Sequence, residues 1–369
     1  MPEAVDDVIV VGAGAIGMAT ALELAQRGRR VHILERGRPG GESSWAGAGI
    51  IYPAFPRHAT NPFERLRAAS FDLWPGFADR MGEDVGFRRC GAVVIEPTEA
   101  DLERVVAEHR RAGTRIETRD LREIEPNLDA HGQAWRWLPE VCQVRNPRLV
   151  RALTRLLTEQ GVRISDGVAV RSIVHRAGRV AGVELENGKR FLADTVVITA
   201  GAWSAGLLPQ MRLPIAPVRG QIVLFRPKDR LLKSIIDADK HYLVPRDDGR
   251  ILAGSTEEHV GFVKATTPEA FDELRRFAIQ TVPKLADAPV ETSWAGLRPG
   301  TPTGTPYLFE DRDRRGLWIA AGHFRLGLQL APGTAQLLAD WITGRESFAR
   351  PEDFDLAADR TDYRRSFTA

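Results

Sequence analysis

The residues best suited to chemistry stand near the start of the chain. There Val8, Ile9, Val10 and Val11 run into Gly12-Ala13-Gly14-Ala15-Ile16-Gly17, and a second apolar run, residues 30–34, ends on Glu35. This pattern predicts a strand entering a glycine turn, a helix leaving it, and a second strand closed by a carboxylate. Gly12 admits the tight turn, Gly14 lets backbone N–H groups approach a pyrophosphate, and Gly17 lets the helix pack closely on the strand. The N-terminus of the helix adds unsatisfied N–H groups and a positive dipole end. Glu35 is placed to accept hydrogen bonds from a ribose diol. The chemistry implied is dinucleotide binding. No Ser/His/Asp or Cys/His arrangement is evident, and no metal-ligand cluster. Cys90 and Cys142 form no CxxC pair and read as reduced structural thiols.

The elements that must hold this turn follow from local pattern. Met18, Ala21, Leu22 and Ala25 share one helical face, Glu23 and Arg27 point away, and Gly28 ends the helix. Residues 37–53 are rich in Gly, Ser and Ala without a clear period, which fits either an ordinary loop or a close approach to a flat ligand. Residues 61–81 and a polar stretch, 100–112, read as helices. Pro147 opens another that Gly161 stops. Asn187-Gly188 signals a hairpin. The apolar run 195–201 suits a strand buried on both faces of a parallel sheet, so the nucleotide-binding unit is interrupted and resumes there. From Val218 to Gly261 the pattern changes to long strands turned at Asp248-Gly249, with Tyr242 and Val244 on one face and His241 and Leu243 on the other. Residues 271–282 and 331–343 are helical, the last stopped by Gly344.

Composition narrows the function. The 369 residues carry a formal net charge of +2, too balanced for a dedicated nucleic-acid surface. Arg110-Arg111 and Arg314-Arg315 read as solvated faces. No stretch has the roughly 20 apolar residues of a membrane span. The acidic start, residues 1–7, leads straight into a strand without a secretory pattern, which favours a cytoplasmic location.

Only one G-x-G-x-x-G is present, and a second glycine-rich segment, residues 320–327, precedes a helix. Its N–H groups and dipole end would stabilise the negative pyrimidine edge of a reduced flavin, although a plain helix cap would look the same. The chain resembles the glycine oxidase and D-amino-acid oxidase family of FAD-dependent oxidoreductases over nearly its whole length. The resemblance rests on four ordered blocks besides the first turn. They are Ser43-Ser44-Trp45-Ala46-Gly47-Ala48-Gly49-Ile50, Thr199-Ala200-Gly201-Ala202-Trp203-Ser204, Trp294-Ala295-Gly296-Leu297-Arg298-Pro299-Gly300-Thr301, and Gly322-His323-Phe324-Arg325.

The resemblance implies an α/β fold: a Rossmann-like FAD-binding domain of the glutathione-reductase type (1–83, 145–215, 293–369) with an inserted antiparallel-sheet substrate domain (84–144, 216–292). It implies non-covalent FAD. Gly12, Gly14, Ala15, Ile16 and Gly17 would meet the pyrophosphate, Glu35 and Arg36 the adenosine ribose, and Val168 the adenine. Ser43 and Ser44 would follow the phosphates, Ala48, Gly49 and Ile50 the ring, and Gly201 the cofactor's resumed fold. Gly322, His323, Phe324, Arg325, Leu326, Gly327, Leu328 and Gln329 would wrap the pyrimidine edge.

For the substrate, a guanidinium fork grips a carboxylate in a defined plane. Arg298, set between Leu297 and Pro299-Gly300, is the first candidate, with Tyr242, Arg325 and Ile50 expected around the same amino acid. The expected reaction moves a hydride from Cα to flavin N5 without a protein acid or base, giving a 2-oxo acid, ammonia and hydrogen peroxide. Two departures from the family pattern stand near the flavin: Leu308-Phe309-Glu310 after Pro306-Tyr307, and Leu326 after Arg325. Tyr52-Pro53-Ala54-Phe55-Pro56 also resembles the dehydrogenase-like subunit of hydrogen cyanide synthase, which makes a quinone acceptor the nearest rival to dioxygen. A flavin-binding sensor without turnover is the rival of another class. Glycine oxidases resembling this chain suggest a homo-oligomer.

Overall fold

Val8, Ile9 and Val10 are apolar on both faces, and such a strand needs cover on both sides. The computed structural model, which describes residues 6–130, 132–238 and 240–360, places the strand Asp6–Val11 inside a six-stranded sheet. Residues 1–5, on which the reading of the acidic start partly rests, lie outside the described residues. Asp6–Val11 pairs in parallel with Val31–Leu34 on one side and Ala193–Ile198 on the other. Arg163–Ser165 and Leu317–Ala321 extend the sheet in parallel, and Tyr307–Glu310 closes one edge antiparallel. One face packs on the helices Ala15–Gln26, Asn146–Glu159 and Gly327–Thr343, with Met18, Leu22, Leu153 and Leu338 fully buried among them. The other face packs on a three-stranded meander through Val180, Val183 and Leu185. The interrupted nucleotide-binding unit is therefore continuous in space.

The second sheet has seven strands in the order 290–300, 216–225, 251–254, 241–245, 235–238, 92–96, 134–138. It is antiparallel except where Ile235–Ala238 runs parallel to Ala92–Glu96, so the expected antiparallel sheet is mixed. Strand Val290–Gly300 pairs with Ala216–Phe225 from Val290 to Gly300. The boundary expected at residue 293 thus cuts through a strand that belongs wholly to this sheet. Val93, Val223, Leu243 and Ala253 face the helix Pro268–Thr281. Val94, Ile222, Tyr242, Val244 and Trp294 face the other way, toward the first sheet. That division matches the alternation read at residues 241–244.

Three local expectations change in the structure. Arg27 does not point into water: its guanidinium meets Asp340 of the last helix at 2.8 Å, with the two side chains 10% and 8% exposed. The polar side of the first helix is covered by another helix, so its one cation is matched there. Arg314 is likewise buried, bonded through Nε to Asp311 at 2.5 Å. The last helix begins at Gly327, not 331, with Pro332 inside it. An outside donor supports those early turns, since the Trp74 indole gives a hydrogen bond of 2.8 Å to the Gln329 carbonyl.

Candidate functional site

Between the two sheets lies a cavity of about 1420 Å³. Its nucleotide end is the first glycine turn. Gly12 takes φ +107°, where a side chain is strained, and a Cβ there would stand 2.9 Å from the Thr199 carbonyl carbon. A Cβ on Gly17 would overlap the Gly12 carbonyl and stand 2.5 Å from Thr199 Oγ1. Thr199 braces the turn from the neighbouring strand, donating to the Gly12 carbonyl at 2.8 Å. Gly12, Gly14, Ala15, Ile16, Glu35, Arg36, Val168 and Gly201 all line the cavity, while Gly17 lies beneath it. Glu35, expected at a ribose, has a structural task here. One oxygen accepts from Ala13 N at 2.8 Å and the other from Gly37 N at 2.8 Å. Arg36 lies over the Trp203 ring, 3.7 Å from its centroid.

The small-residue stretch that follows forms a short helix, Ser43–Ala46, wedged between the two sheets. Ser44 Oγ accepts from Ala15 N at 2.8 Å, Ser43 Oγ donates to the Leu297 carbonyl, and Trp294 Nε1 donates to the Ala46 carbonyl at 2.9 Å. The loop 47–50 is held from below by Arg246, which sequence reading did not single out. Its guanidinium is fully enclosed and donates to the carbonyls of Ala48 (2.8 Å) and Val144 (3.2 Å) and to Gln143 Oε1 (2.9 Å). Burial draws its pKa down to about 10.

The residues present fit FAD on two observations. The glycine turn, kept tight because side chains at Gly12 and Gly17 would strike the protein's own backbone, lines the cavity with Gly12, Gly14, Ala15 and Ile16. The Asn146 amide donates to the Ser44 carbonyl at 2.8 Å but leaves its buried Oδ1 without a partner. That oxygen, on a residue lining the cavity, is an acceptor waiting for a hydroxyl or N–H group. At the other end Gly322 to Gln329 line the cavity. His323 is buried, shares a 3.1 Å hydrogen bond with Thr334, and is held neutral by burial, its pKa drawn down to about 3. A neutral, enclosed imidazole serves structure rather than proton transfer.

At the substrate end two glycines decide the geometry. A Cβ on Gly220 would stand 2.5 Å from Arg298 Cζ, and one on Gly254 would stand 2.8 Å from the Tyr242 ring. Both side chains therefore lie flat on bare strand backbone. Arg298 Nη2 donates to Ser255 Oγ at 2.6 Å and Nη1 to the Thr256 carbonyl at 3.0 Å. No carboxylate pairs with it among the described residues. Burial lowers its pKa, countered in part by the Tyr242 phenol beside it. The segment carrying Thr256 is anchored by Glu258. Burial alone would raise that carboxyl, but donors from Arg219, Thr256 and Gln221 hold it at about 2.

Arg325 lines the cavity, yet its guanidinium is ion-paired with Glu257 and its side chain is 45% exposed. The second substrate charge expected there is already compensated. His241 bonds Glu273 at 3.0 Å on the opposite face of its strand from Tyr242. Ile50 lines the cavity, and beyond it stand two residues that sequence reading did not place in the site. Tyr52 donates its hydroxyl to Asp237 Oδ2, and both line the cavity. Burial raises both pKa values, and at Asp237 the Tyr52 hydroxyl and the field of Arg325 work against that rise. Asp237 carries no motif, and Tyr52 was singled out only within the segment 52–56. Their meeting joins a loop and a strand 185 positions apart.

Comparison with known proteins identifies the family and the fold. The profile of a family described as FAD dependent oxidoreductase, DAO, matches residues 7–341. A glycine oxidase of Pseudomonas aeruginosa is 37% identical over 94% of this chain and 97% of its own length. The hydrogen cyanide synthase subunit HcnC of the same organism is 30% identical over 90% of this chain and 91% of its own length. The crystal structure of glycine oxidase from Geobacillus kaustophilus superposes with a TM-score of 0.88 at 31% identity, covering 95% of this chain and 98% of that one.

Proposed function

Because the chain belongs to the DAO family of FAD-dependent oxidoreductases, we propose that it oxidises an amino acid whose α-carboxylate is gripped by Arg298 and Tyr242. One observation carries this reading. Arg298 is a half-buried cation, laid flat over Gly220 and hydrogen-bonded to neutral groups, with no ion-paired carboxylate among the described residues and Glu257 reaching it only through its field. A desolvated charge without a counter-ion is costly, and a bound carboxylate removes that cost. The guanidinium supplies a planar fork and the Tyr242 phenol a further donor, so the carboxylate is fixed in orientation as well as position.

FAD, when bound, accepts two electrons and a proton from the carbon bearing the amine and returns them to an external oxidant. The chain's own part is to hold that carbon still and dry. Trp294, Ile222 and Val244 give the sheet an apolar face toward the site. No residue there is needed as acid or base when the amine enters neutral. Water then hydrolyses the imine to a 2-oxo acid and ammonia. Support for amino-acid oxidation comes from the glycine oxidase likeness. The HcnC likeness favours a second reading, electron delivery to a quinone in place of dioxygen. Among the described residues no helix is long and apolar enough to cross a membrane. A cytoplasmic location is proposed with the function, supported by two free cysteines.

Arg298→Ala tests the grip. KM for the amino acid should rise strongly with FAD still bound, and an unchanged KM discards the assignment. Re-oxidising the reduced protein with dioxygen or a quinone separates the two acceptors. A flavin spectrum that no amine bleaches under anaerobic conditions would favour a sensor.

A further inference from the structure

Strand pairing puts Gly254, Tyr242 and Asp237 in one row across three neighbouring strands, on the face toward the cavity. Strands in a sheet lie about 4.8 Å apart, so Asp237 stands about 10 Å from Gly254, the bare position over which the Tyr242 ring lies. That ring leans from its own strand toward Gly254, away from Asp237. A substrate held by its carboxylate on Arg298 and Tyr242 therefore has the length of a long side chain before it meets the Asp237–Tyr52 pair.

The charges around this far end select its chemistry. Arg325 is taken by Glu257, and although its field eases the charge on Asp237 it makes no ion pair with it. Asp237 forms no ion pair among the described residues, and its bonded partner is the Tyr52 hydroxyl. The ring of His109 stands 5.2 Å from that of Tyr52 and is neutral, its pKa drawn to about 4 by burial and by Arg67. Arg67 itself is flanked electrostatically by Glu64 and Glu108. An acidic substrate end would meet the Asp237 carboxyl, and a cation that lines the cavity without an ion pair among the described residues, Lys240, stands exposed. A cationic end would find an acceptor with no cation of its own.

We infer that Asp237, supported by Tyr52, is a side-chain subsite for the ammonium or guanidinium end of a basic amino acid whose carboxylate lies on Arg298. The inference rests on the proposed amino-acid oxidation and names its substrate class.

The test is anaerobic bleaching of the FAD-loaded protein with both enantiomers of lysine, arginine, norleucine and alanine, with glycine, and with the two-carboxylate substrate iminodiacetate. Norleucine has the lysine chain without its amine, so the lysine-to-norleucine ratio of kcat/KM isolates the subsite. The parent protein should favour lysine at least about tenfold, the effect of one charge-assisted hydrogen bond. Asp237→Asn, which keeps the shape and still accepts from Tyr52, should bring the ratio to within about twofold of one. Tyr52→Phe, which leaves the charge, should keep it well above one. A parent that prefers norleucine or iminodiacetate, or a ratio that Asp237→Asn leaves unchanged, overturns the subsite alone. Bleaching by no amino acid overturns both the subsite and the oxidation it rests on.

Discussion

Gly220→Ala separates the grip on the substrate from the stability of the fold. The strand is extended at this position and alanine is locally acceptable, so backbone entropy even favours the change by about 0.4–1 kcal/mol. The new methyl would stand 2.5 Å from Arg298 Cζ, whereas ordinary contact begins at 3.4 Å, so the guanidinium must lift by about 0.9 Å (3.4 − 2.5). The far end of a flexible side chain can do that at little cost to folding. It cannot do so and keep the 2.6 Å and 3.0 Å bonds that aim it. Losing one charge-assisted hydrogen bond to the carboxylate is worth about 1.5–3 kcal/mol, or about 10- to 150-fold in kcat/KM. Anaerobic flavin reduction, titrated with the best amino-acid substrate, reads the change. KM should carry most of it, with flavin content unchanged and the thermal midpoint shifted by only a few degrees. A KM within about twofold of the parent would refute the reasoning, because the guanidinium would then not need its place over bare backbone.

Other expectations follow from the same geometry. Gly17→Ala sets a methyl against the Gly12 carbonyl, which is backbone and cannot yield. Purified variant should contain little or no flavin by its visible spectrum and melt well below the parent. Asp340→Ala leaves Arg27 buried without its partner and should cost about 3–5 kcal/mol in urea unfolding. Glu258 has its carboxyl lowered to about 2 in the folded state from an ordinary 4.5. Its contribution is therefore full above about pH 4.5 and is lost as pH falls toward 2. With its side chain 26% exposed, that amounts to about 2–3 kcal/mol. Glu258→Gln should be less stable than the parent at pH 7, and the gap between their unfolding free energies should close on acidification. A gap independent of pH would show that the anchoring is not ionic.

Periodicity placed the elements well where a helix or strand has one wet side or none. Residues 61–81 were read as a helix and form one at Pro62–Asp79; the run 195–201 falls on the central parallel strand Ala193–Ile198. It failed where another element supplies the cover. Arg27 looks solvated in a linear pattern because its partner, Asp340, becomes visible only after packing; Arg314 has its partner, Asp311, three positions away, and what packing adds there is the burial of the pair. The start of the last helix was displaced because a proline ordinarily marks a first turn, whereas here Pro332 is accommodated inside. The mixed character of the second sheet was hidden for a similar reason. The parallel contact joins Ala92–Glu96 to a strand more than a hundred residues later.

By itself the sequence determined the cofactor end of this protein. The glycine turn, its helix and the closing acid are contiguous, and close approach of backbone to phosphate demands residue types that can be recognised one by one. The substrate end is made differently. Arg298 and Tyr242 could be named in advance. What lets them lie flat, as the proposed clamp requires, is the absence of side chains at Gly220 and Gly254, two plain strand glycines that carry no signal in a linear pattern. The encounter of Tyr52 with Asp237, and the capture of Arg325 by Glu257, depend on which strands lie side by side and which loops fold over them. Those are long-range pairings, set by packing and by the balance of buried charge, and only the tertiary structure decides them.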